Sequence, residues 1–155
     1  MKEKIIVFDM DGTIVDLYGV QGWLDDLKNL DIRPYKIAKP LVNMNELNSI
    51  LNLLKNIGFK IIITSWLSKI TNADYNNRVS KEKVNWLDKY DFPYDEINIV
   101  PYGTPKQQVT RKYKSYQILV DDNKDVRQAW NLGETIDANK DIIKELKKYL
   151  KTIDR

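Results

Sequence analysis

The sequence contains no cysteine and no histidine. The absence of cysteine excludes disulfides and thiol nucleophiles, and the absence of both residue types excludes zinc sites of the usual Cys/His kind. Catalytic triads and dyads that use a histidine base are excluded as well. Any reaction chemistry must therefore depend on carboxylates, hydroxyls and lysine, with or without a hard metal ion.

Long apolar runs are also lacking. No run approaches the ~20 residues of a membrane-spanning helix, and the apolar run near the N-terminus is too short for a signal peptide and ends at Asp9. We therefore expect no membrane association and a cytoplasmic location. The formal net charge of +3 is compatible with anionic small molecules or with nucleic acid, but it requires neither.

Apolar segments alternate along the chain with segments of helical periodicity. The apolar segments predict buried strands at residues 4–9, 59–65, 96–103 and 116–123. The periodic segments predict helices at residues 22–30, 44–58, 80–90, 105–113, 124–133 and 139–153. Ser80 is the expected cap of the third helix, and the short apolar stretch 134–138 is assigned to no element. This alternation predicts one α/β domain, residues 1–155, with a central parallel sheet covered by helices.

Polar side chains follow each predicted strand. In chain order they are Asp9 and Asp11, Thr64 and Ser65, Tyr102 to Lys106, and Asp121 and Asp122. Open parallel sheets bind ligands beyond the carboxyl ends of their strands. We therefore expect these side chains to form one site at that edge of the sheet.

The carboxylates of such a site would repel one another strongly without a cation between them. Mg²⁺ suits them because it prefers oxygen ligands and keeps waters that a substrate phosphate can replace. The predicted ligands are Asp9, Asp11, Asp121 and Asp122. One aspartate of the first pair could then attack phosphorus while the other serves the leaving group. Lys106 would add positive charge, and Thr64 a hydroxyl donor, at the transferring oxygens.

These residues resemble the four motifs of the haloacid dehalogenase (HAD) superfamily, in the order that this family uses. The matching segments are "DMDGT" at 9–13, Thr64 after "KIII", Lys106, and "DD" at 121–122. The resemblance spans roughly residues 4–136. It implies a Rossmann-like three-layer sandwich around the parallel sheet and Mg²⁺-dependent phosphoryl transfer through an aspartyl-phosphate.

The resemblance also implies a role for each matched residue. By position, Asp9 resembles the nucleophile, and Asp11 resembles the general acid that protonates the leaving group and then activates water. The phosphate-binding positions correspond to Thr64, Ser65 and Lys106, and the metal-binding acidic pair to Asp121 and Asp122.

Some of these assignments have alternatives. Lys106 is preferred as the phosphate-binding lysine because it closely precedes the fourth strand and follows a break at proline and glycine, but Lys83 and Lys81 also begin a predicted helix. Asp125 either shares the metal or lies on the surface of the following helix.

Two other interpretations use the same residues. Thr64 and Ser65 could cap a helix after the strand. A receiver domain of two-component signalling also combines aspartates, a hydroxyl and a lysine around Mg²⁺. Its acidic pair lies on the first strand and its lysine on the last, however, and the order here is the reverse.

Only a small cover for the site is expected. A short cap-like insertion at about 14–43 and the loop at 66–80 predict coverage by loops and one short helix, so that a large substrate could enter or another subunit could supply a lid. Aromatic and cationic side chains in these segments suit a nucleotide, by stacking on a base and pairing with phosphate. They are Tyr18, Trp23, Arg33, Tyr35, Lys36, Lys39, Trp66, Lys69 and Arg78.

The context of the motifs is also similar to the small deoxyribonucleotidase-like branch of the superfamily. We therefore predict a HAD-type phosphatase, a phosphoric monoester hydrolase, that acts on a nucleotide in the manner of a 5′-nucleotidase. Nucleic-acid ends or a phosphoprotein are alternative substrates. A binding or regulatory module without turnover is a further alternative, and the chain could form a homo-oligomer.

Overall fold

The computed structural model describes residues 3–151, which form a five-stranded parallel sheet with helices on both faces. The strands are β1 (Lys4–Phe8), β2 (Phe59–Trp66), β3 (Glu96–Val100), β4 (Tyr116–Asp121) and β5 (Thr135–Asp137). Their order in the sheet is β3-β2-β1-β4-β5, and every neighbouring pair is parallel. The predicted α/β fold, a Rossmann-like sandwich around a parallel sheet, is confirmed.

The helices of the described residues are α1 (Trp23–Lys28), α2 (Arg33–Ile37), α3 (Met44–Asn56), α4 (Ala73–Lys89), α5 (Lys106–Thr110), α6 (Lys124–Ala129) and α7 (Ile142–Lys151), with a 3₁₀ turn at Arg111–Tyr113. Strand β1 is apolar from Ile5 to Phe8 because both of its faces are covered there. Ile6 and Phe8 pack with α3, α4 and α7, and Ile5 and Val7 pack with α6. None of these helices is long and apolar enough to cross a membrane.

Helix α4 begins earlier than the sequence predicted. Its cap is Asn72, whose Oδ1 accepts the backbone N–H of Tyr75 at 2.8 Å. The expected cap, Ser80, lies inside the helix and donates its hydroxyl to the carbonyl of Asn76 at 2.8 Å. Tyr75 and Val79 are buried against apolar side chains of the insertion. Long-range packing therefore supports the first turns of α4, where Tyr75 and Val79 are the only buried side chains.

Two short elements were not predicted. β5 has 3 residues and α2 has 5, and segments of this length are too short to show a periodic pattern. The insertion therefore contains two short helices, α1 and α2, instead of the expected one. The predicted helix at 139–153 begins at Ile142, and residues 152–153 of that prediction lie outside the described part of the chain.

The cap of α3 offers a test of local stability. The Asn43 side chain accepts the backbone N–H of Glu46 at 3.1 Å, so we expect Asn43→Ala to lower the free energy of unfolding by about 1 kcal/mol. Urea denaturation measures the change. Asn45→Ala is the matched control, because Asn45 is exposed within the same helix and alanine has the higher helix propensity. Equal destabilisation by both substitutions would contradict a role for the cap.

Candidate active site

The register of the sheet brings residues of three strands together at its carboxyl edge. Strand β1 lies between β2 and β4, and Phe8 is aligned with Ile63 on one side and Val120 on the other. The residues that come next on these three strands are Asp9, Thr64 and Asp121. Residues far apart in the sequence therefore become neighbours at the edge where open sheets bind ligands.

Lys106 joins two of these strands by ion pairs. Its Nζ donates to Asp9 Oδ1 at 2.8 Å and to Asp121 Oδ2 at 2.7 Å, and all three side chains are buried. Burial alone would lower the pKa of Lys106, but the two carboxylates beside it raise that pKa above its usual value. For Asp121, burial and the nearby Asp9 raise the pKa, although Lys106 opposes them.

The turn after β1 connects the first acidic motif to the last. Thr13 Oγ1 donates to Asp9 Oδ2 at 2.9 Å and accepts the backbone N–H of Asp122 at 3.1 Å. Gly12 has a φ of 82°, and a Cβ at this position would lie 2.4 Å from Asp122 Oδ2. Glycine is therefore required both by the backbone conformation and by the close carboxylate. Sequence analysis did not name Thr13 as a site residue, and its place in "DMDGT" was the available signal.

A metal ion could be held by three carboxylates. One oxygen each from Asp9, Asp121 and Asp122 lies within 4.8 Å of the others. Burial, together with the negative charge of Asp9, raises the pKa of Asp122 to about 7. The ion pairs of Lys106 go to Asp9 and Asp121 and not to Asp122. A donor set made only of carboxylate oxygens fits a hard cation such as Mg²⁺. Asp125 is exposed in the first turn of α6 and contributes no oxygen to the group.

Asp11, the fourth predicted ligand, is paired with a second buried lysine. Lys83 Nζ donates to Asp11 Oδ2 at 3.0 Å, to Ser65 Oγ at 2.7 Å and to the carbonyl of Trp66 at 2.8 Å. Burial raises the pKa of Asp11 even though Lys83 opposes this effect. Of the three lysines considered from the sequence, two reach the site: Lys106 binds Asp9, and Lys83 binds Asp11. Lys81 is exposed on α4.

The two hydroxyl residues of β2 differ in their surroundings. Thr64 Oγ1 is buried and has no hydrogen-bond partner among the described residues, whereas Ser65 Oγ accepts from Lys83. Neither residue caps a helix, because β2 continues through Trp66 and the next helix begins at Ala73. Thr64 lies next to Asp9 at the edge of the sheet, but its hydroxyl is fully buried and the residue does not line the cavity over the carboxylates.

A cavity of about 510 Å³ opens over the carboxylates. Of the aromatic and cationic side chains singled out in the sequence, those that line it are Tyr18, Trp23, Tyr35, Trp66 and Lys69. Tyr102, which was expected at the site because it follows the third predicted strand, also lines it. Lys28 lines it as well and was not singled out. Arg33 and Arg78 instead form ion pairs elsewhere, with Asp26 and Asp74.

The indole of Trp66 is fixed beside Lys106. Its Nε1 donates to the carbonyl of Thr104 at 2.7 Å. The ring centroid lies 5.1 Å from that of Tyr102 and 5.3 Å from Lys106 Nζ. The cavity therefore has an aromatic wall that begins next to the ion-paired lysine.

Comparisons with known proteins support the fold. No protein-family model matches the sequence, and no curated protein matches it. Among solved structures, D,D-heptose 1,7-bisphosphate phosphatase from B. bronchiseptica, complexed with magnesium and phosphate, superposes with a TM-score of 0.61 at 11% identity, over 96% of this chain and 99% of its own. The corresponding phosphatase from Burkholderia thailandensis superposes with a TM-score of 0.56 at 13% identity. That match covers 96% of this chain and 99% of the phosphatase. A Vibrio cholerae protein matches at 26% identity with a TM-score of 0.43, and the match covers 63% of this chain and 68% of that protein. The chain is thus similar in fold, over nearly its whole length, to two bacterial sugar-bisphosphate phosphatases.

Proposed function

We propose that the chain is a Mg²⁺-dependent phosphomonoesterase that works through an aspartyl-phosphate on Asp9. The observation that carries this proposal is the group of three carboxylates within 4.8 Å, with Lys106 bound to Asp9 beside it. Gathering like charges in a partly buried place costs free energy, and binding a cation offsets that cost and lets an anionic phosphate approach. The fold, shared with two phosphatases of which one was complexed with magnesium and phosphate, supports the same reaction class.

The nucleophile in this proposal is held from two sides. Thr13 donates to one carboxylate oxygen of Asp9, and Lys106 donates to the other. The metal, held by Asp9, Asp121 and Asp122, would neutralise charge on the phosphoryl group. Thr64 donates its unpartnered hydroxyl to a transferring oxygen. Thr13 and Lys106 already donate to Asp9 without a substrate, so little reorganisation of the nucleophile is needed during the reaction.

Asp11 is the general acid in this scheme. Burial raises its pKa even though Lys83 opposes this effect, and a raised pKa is the direction that a general acid needs. The carboxyl gives its proton to the leaving oxygen as the bond between phosphorus and that oxygen breaks. The resulting carboxylate then activates the water that hydrolyses the aspartyl-phosphate.

The substrate that we propose is a nucleotide. The cavity volume of about 510 Å³ lies within the roughly 300–1,000 Å³ of small-molecule sites. The rings of Trp66 and Tyr102 offer an aromatic surface for a base. Lys69 Nζ lies 5.1 Å from the centre of the Tyr102 ring and adds positive charge to the same wall.

The nucleophile is tested by Asp9→Asn. With Mg²⁺ present, we expect the wild type to release phosphate from 4-nitrophenyl phosphate and the variant to be slower by roughly 10⁴-fold or more. EDTA should stop the wild type, and Mg²⁺ should restore it. Asp125→Asn is the matched control, because Asp125 is an exposed carboxylate outside the metal-binding group. Turnover that survives in Asp9→Asn would contradict the covalent mechanism.

The cluster of three carboxylates also predicts how the stability of the folded protein depends on pH. In the metal-free protein, burial and Asp9 raise the pKa of Asp122 to about 7, so the folded state binds a proton that the unfolded state has released above about pH 4. The stability from this group is therefore present at low pH and is lost as the pH rises towards 7.

We expect the melting temperature in EDTA to fall between pH 5 and pH 8, and to fall less in Asp122→Asn. Mg²⁺ should raise it in the wild type, most strongly at pH 8, because the metal binds the ionised carboxylates. Thermal denaturation with EDTA or Mg²⁺ at each pH measures both effects. An equal pH dependence in wild type and Asp122→Asn would contradict this account of the site.

The substrate class is tested at Tyr102, which is 52% exposed at the cavity. Loss of base stacking in Tyr102→Leu should raise KM for nucleoside monophosphates by about fivefold or more. KM for ribose 5-phosphate, which has no base, should not change. Tyr116→Leu is the matched control, since Tyr116 is also exposed but begins β4, at the opposite edge of the sheet.

The same assay separates the alternative substrates. Faster hydrolysis of a 3′-phosphorylated oligonucleotide than of any mononucleotide would favour nucleic-acid ends. Faster hydrolysis of a sugar bisphosphate would favour the substrate class named for the two structural neighbours. Either result would contradict the nucleotide while leaving the phosphatase reaction intact.

A further inference from the structure

Lys83 is a buried lysine at the site for which the proposed mechanism has no role. It lies on α4, 72 residues from Asp11 in the sequence, and its side chain is 1% exposed. A buried ammonium is costly unless all of its donors are satisfied. The partners of Lys83 therefore indicate what it does.

All three donors of the Lys83 ammonium are occupied. An ammonium has three N–H groups, and the three acceptors are Asp11 Oδ2, Ser65 Oγ and the carbonyl of Trp66, at 2.7 to 3.0 Å. No donor is left for an oxygen of a substrate phosphate. The phosphate-binding role considered for Lys83 from the sequence is therefore disfavoured by its hydrogen bonds.

The carboxyl of Asp11 is held by one oxygen only. Oδ2 accepts from Lys83, whereas Oδ1 is buried and has no hydrogen-bond partner in the described part of the chain. An oxygen that accepts an N–H from an ammonium is the poorer site for a proton, so the proton of the acid belongs on Oδ1. The side chain is therefore oriented through Oδ2, Oδ1 is left without a partner among the described residues, and Asp11 lines the cavity.

We infer that Lys83 is a positioning residue for proton transfer by Asp11. It fixes Oδ2, and it thereby directs the proton on Oδ1 towards the leaving oxygen of the ester. As the bond from Asp9 to phosphorus forms, the bond from phosphorus to the leaving oxygen breaks, and that oxygen takes the proton from Asp11 Oδ1. Lys83 keeps its own protons throughout. This inference rests on the proposed function, because it assigns a role within that reaction.

Dependence on the leaving group distinguishes positioning from a structural role. 2,4-Dinitrophenolate leaves without a proton, whereas phenolate needs one. We expect Lys83→Met to lower kcat/KM for phenyl phosphate by about 100-fold, and for 2,4-dinitrophenyl phosphate by less than about threefold. Asp11→Asn should show the same pattern, and the double variant should lose little more, because both substitutions remove one function.

Lys81→Met is the matched control, since Lys81 is exposed on the same helix two positions away, and we expect it to match the wild type on both esters. Lys83→Gln removes the charge and retains an N–H donor. It should show the same dependence on the leaving group with a smaller loss, and it serves as the test if Lys83→Met does not fold.

Equal losses on the two esters, or no loss on either, would overturn the role of Lys83. If the wild type hydrolyses both esters and Asp9→Asn does not, the proposed function survives that result. If the wild type hydrolyses no phosphate ester, the proposed function fails, and the role of Lys83 fails with it.

Discussion

The ammonium of Lys106 allows two buried carboxylates to share one edge of the sheet. Asp9 and Asp121 end adjacent strands, and both bond to Lys106 within 2.8 Å. Removal of one partner from such a buried set leaves an uncompensated charge, which costs several kcal/mol. The position of α5, which begins at Lys106, is thus as important to the site as the strands are. Lys83 gives Asp11 a similar partner, so charge pairing extends to both aspartates of the first motif.

Much of this arrangement could be predicted because it is encoded locally. A continuous apolar run followed by a carboxylate or hydroxyl marks the carboxyl end of a buried parallel strand, and β1, β2 and β4 all have this pattern. Once the sheet is assumed to be parallel, Asp9, Thr64 and Asp121 must lie at one edge. The strand order and the exact register were not needed for that conclusion.

The features that sequence analysis missed depend on long-range contacts. β5 has 3 residues and is defined by its pairing with β4. The start of α4 depends on the burial of Tyr75 among side chains of the insertion. The pairing of Lys83 with Asp11 spans 72 residues, and no local pattern specifies it. Helix α4 thus connects two features: its first turns pack against the insertion, and a later turn carries Lys83.

The lack of cysteine allows the insertion that covers the cavity to be labelled at one chosen position. Leu24 on α1 is 47% exposed and lines the cavity. Because the chain has no native thiol, Leu24→Cys would create the single attachment point for a maleimide dye. The fluorescence of that dye would then report on α1 alone, and its change on addition of a ligand would show whether the insertion moves over the cavity. The same composition that restricts the chemistry of the site thus makes the motion of its cover directly observable.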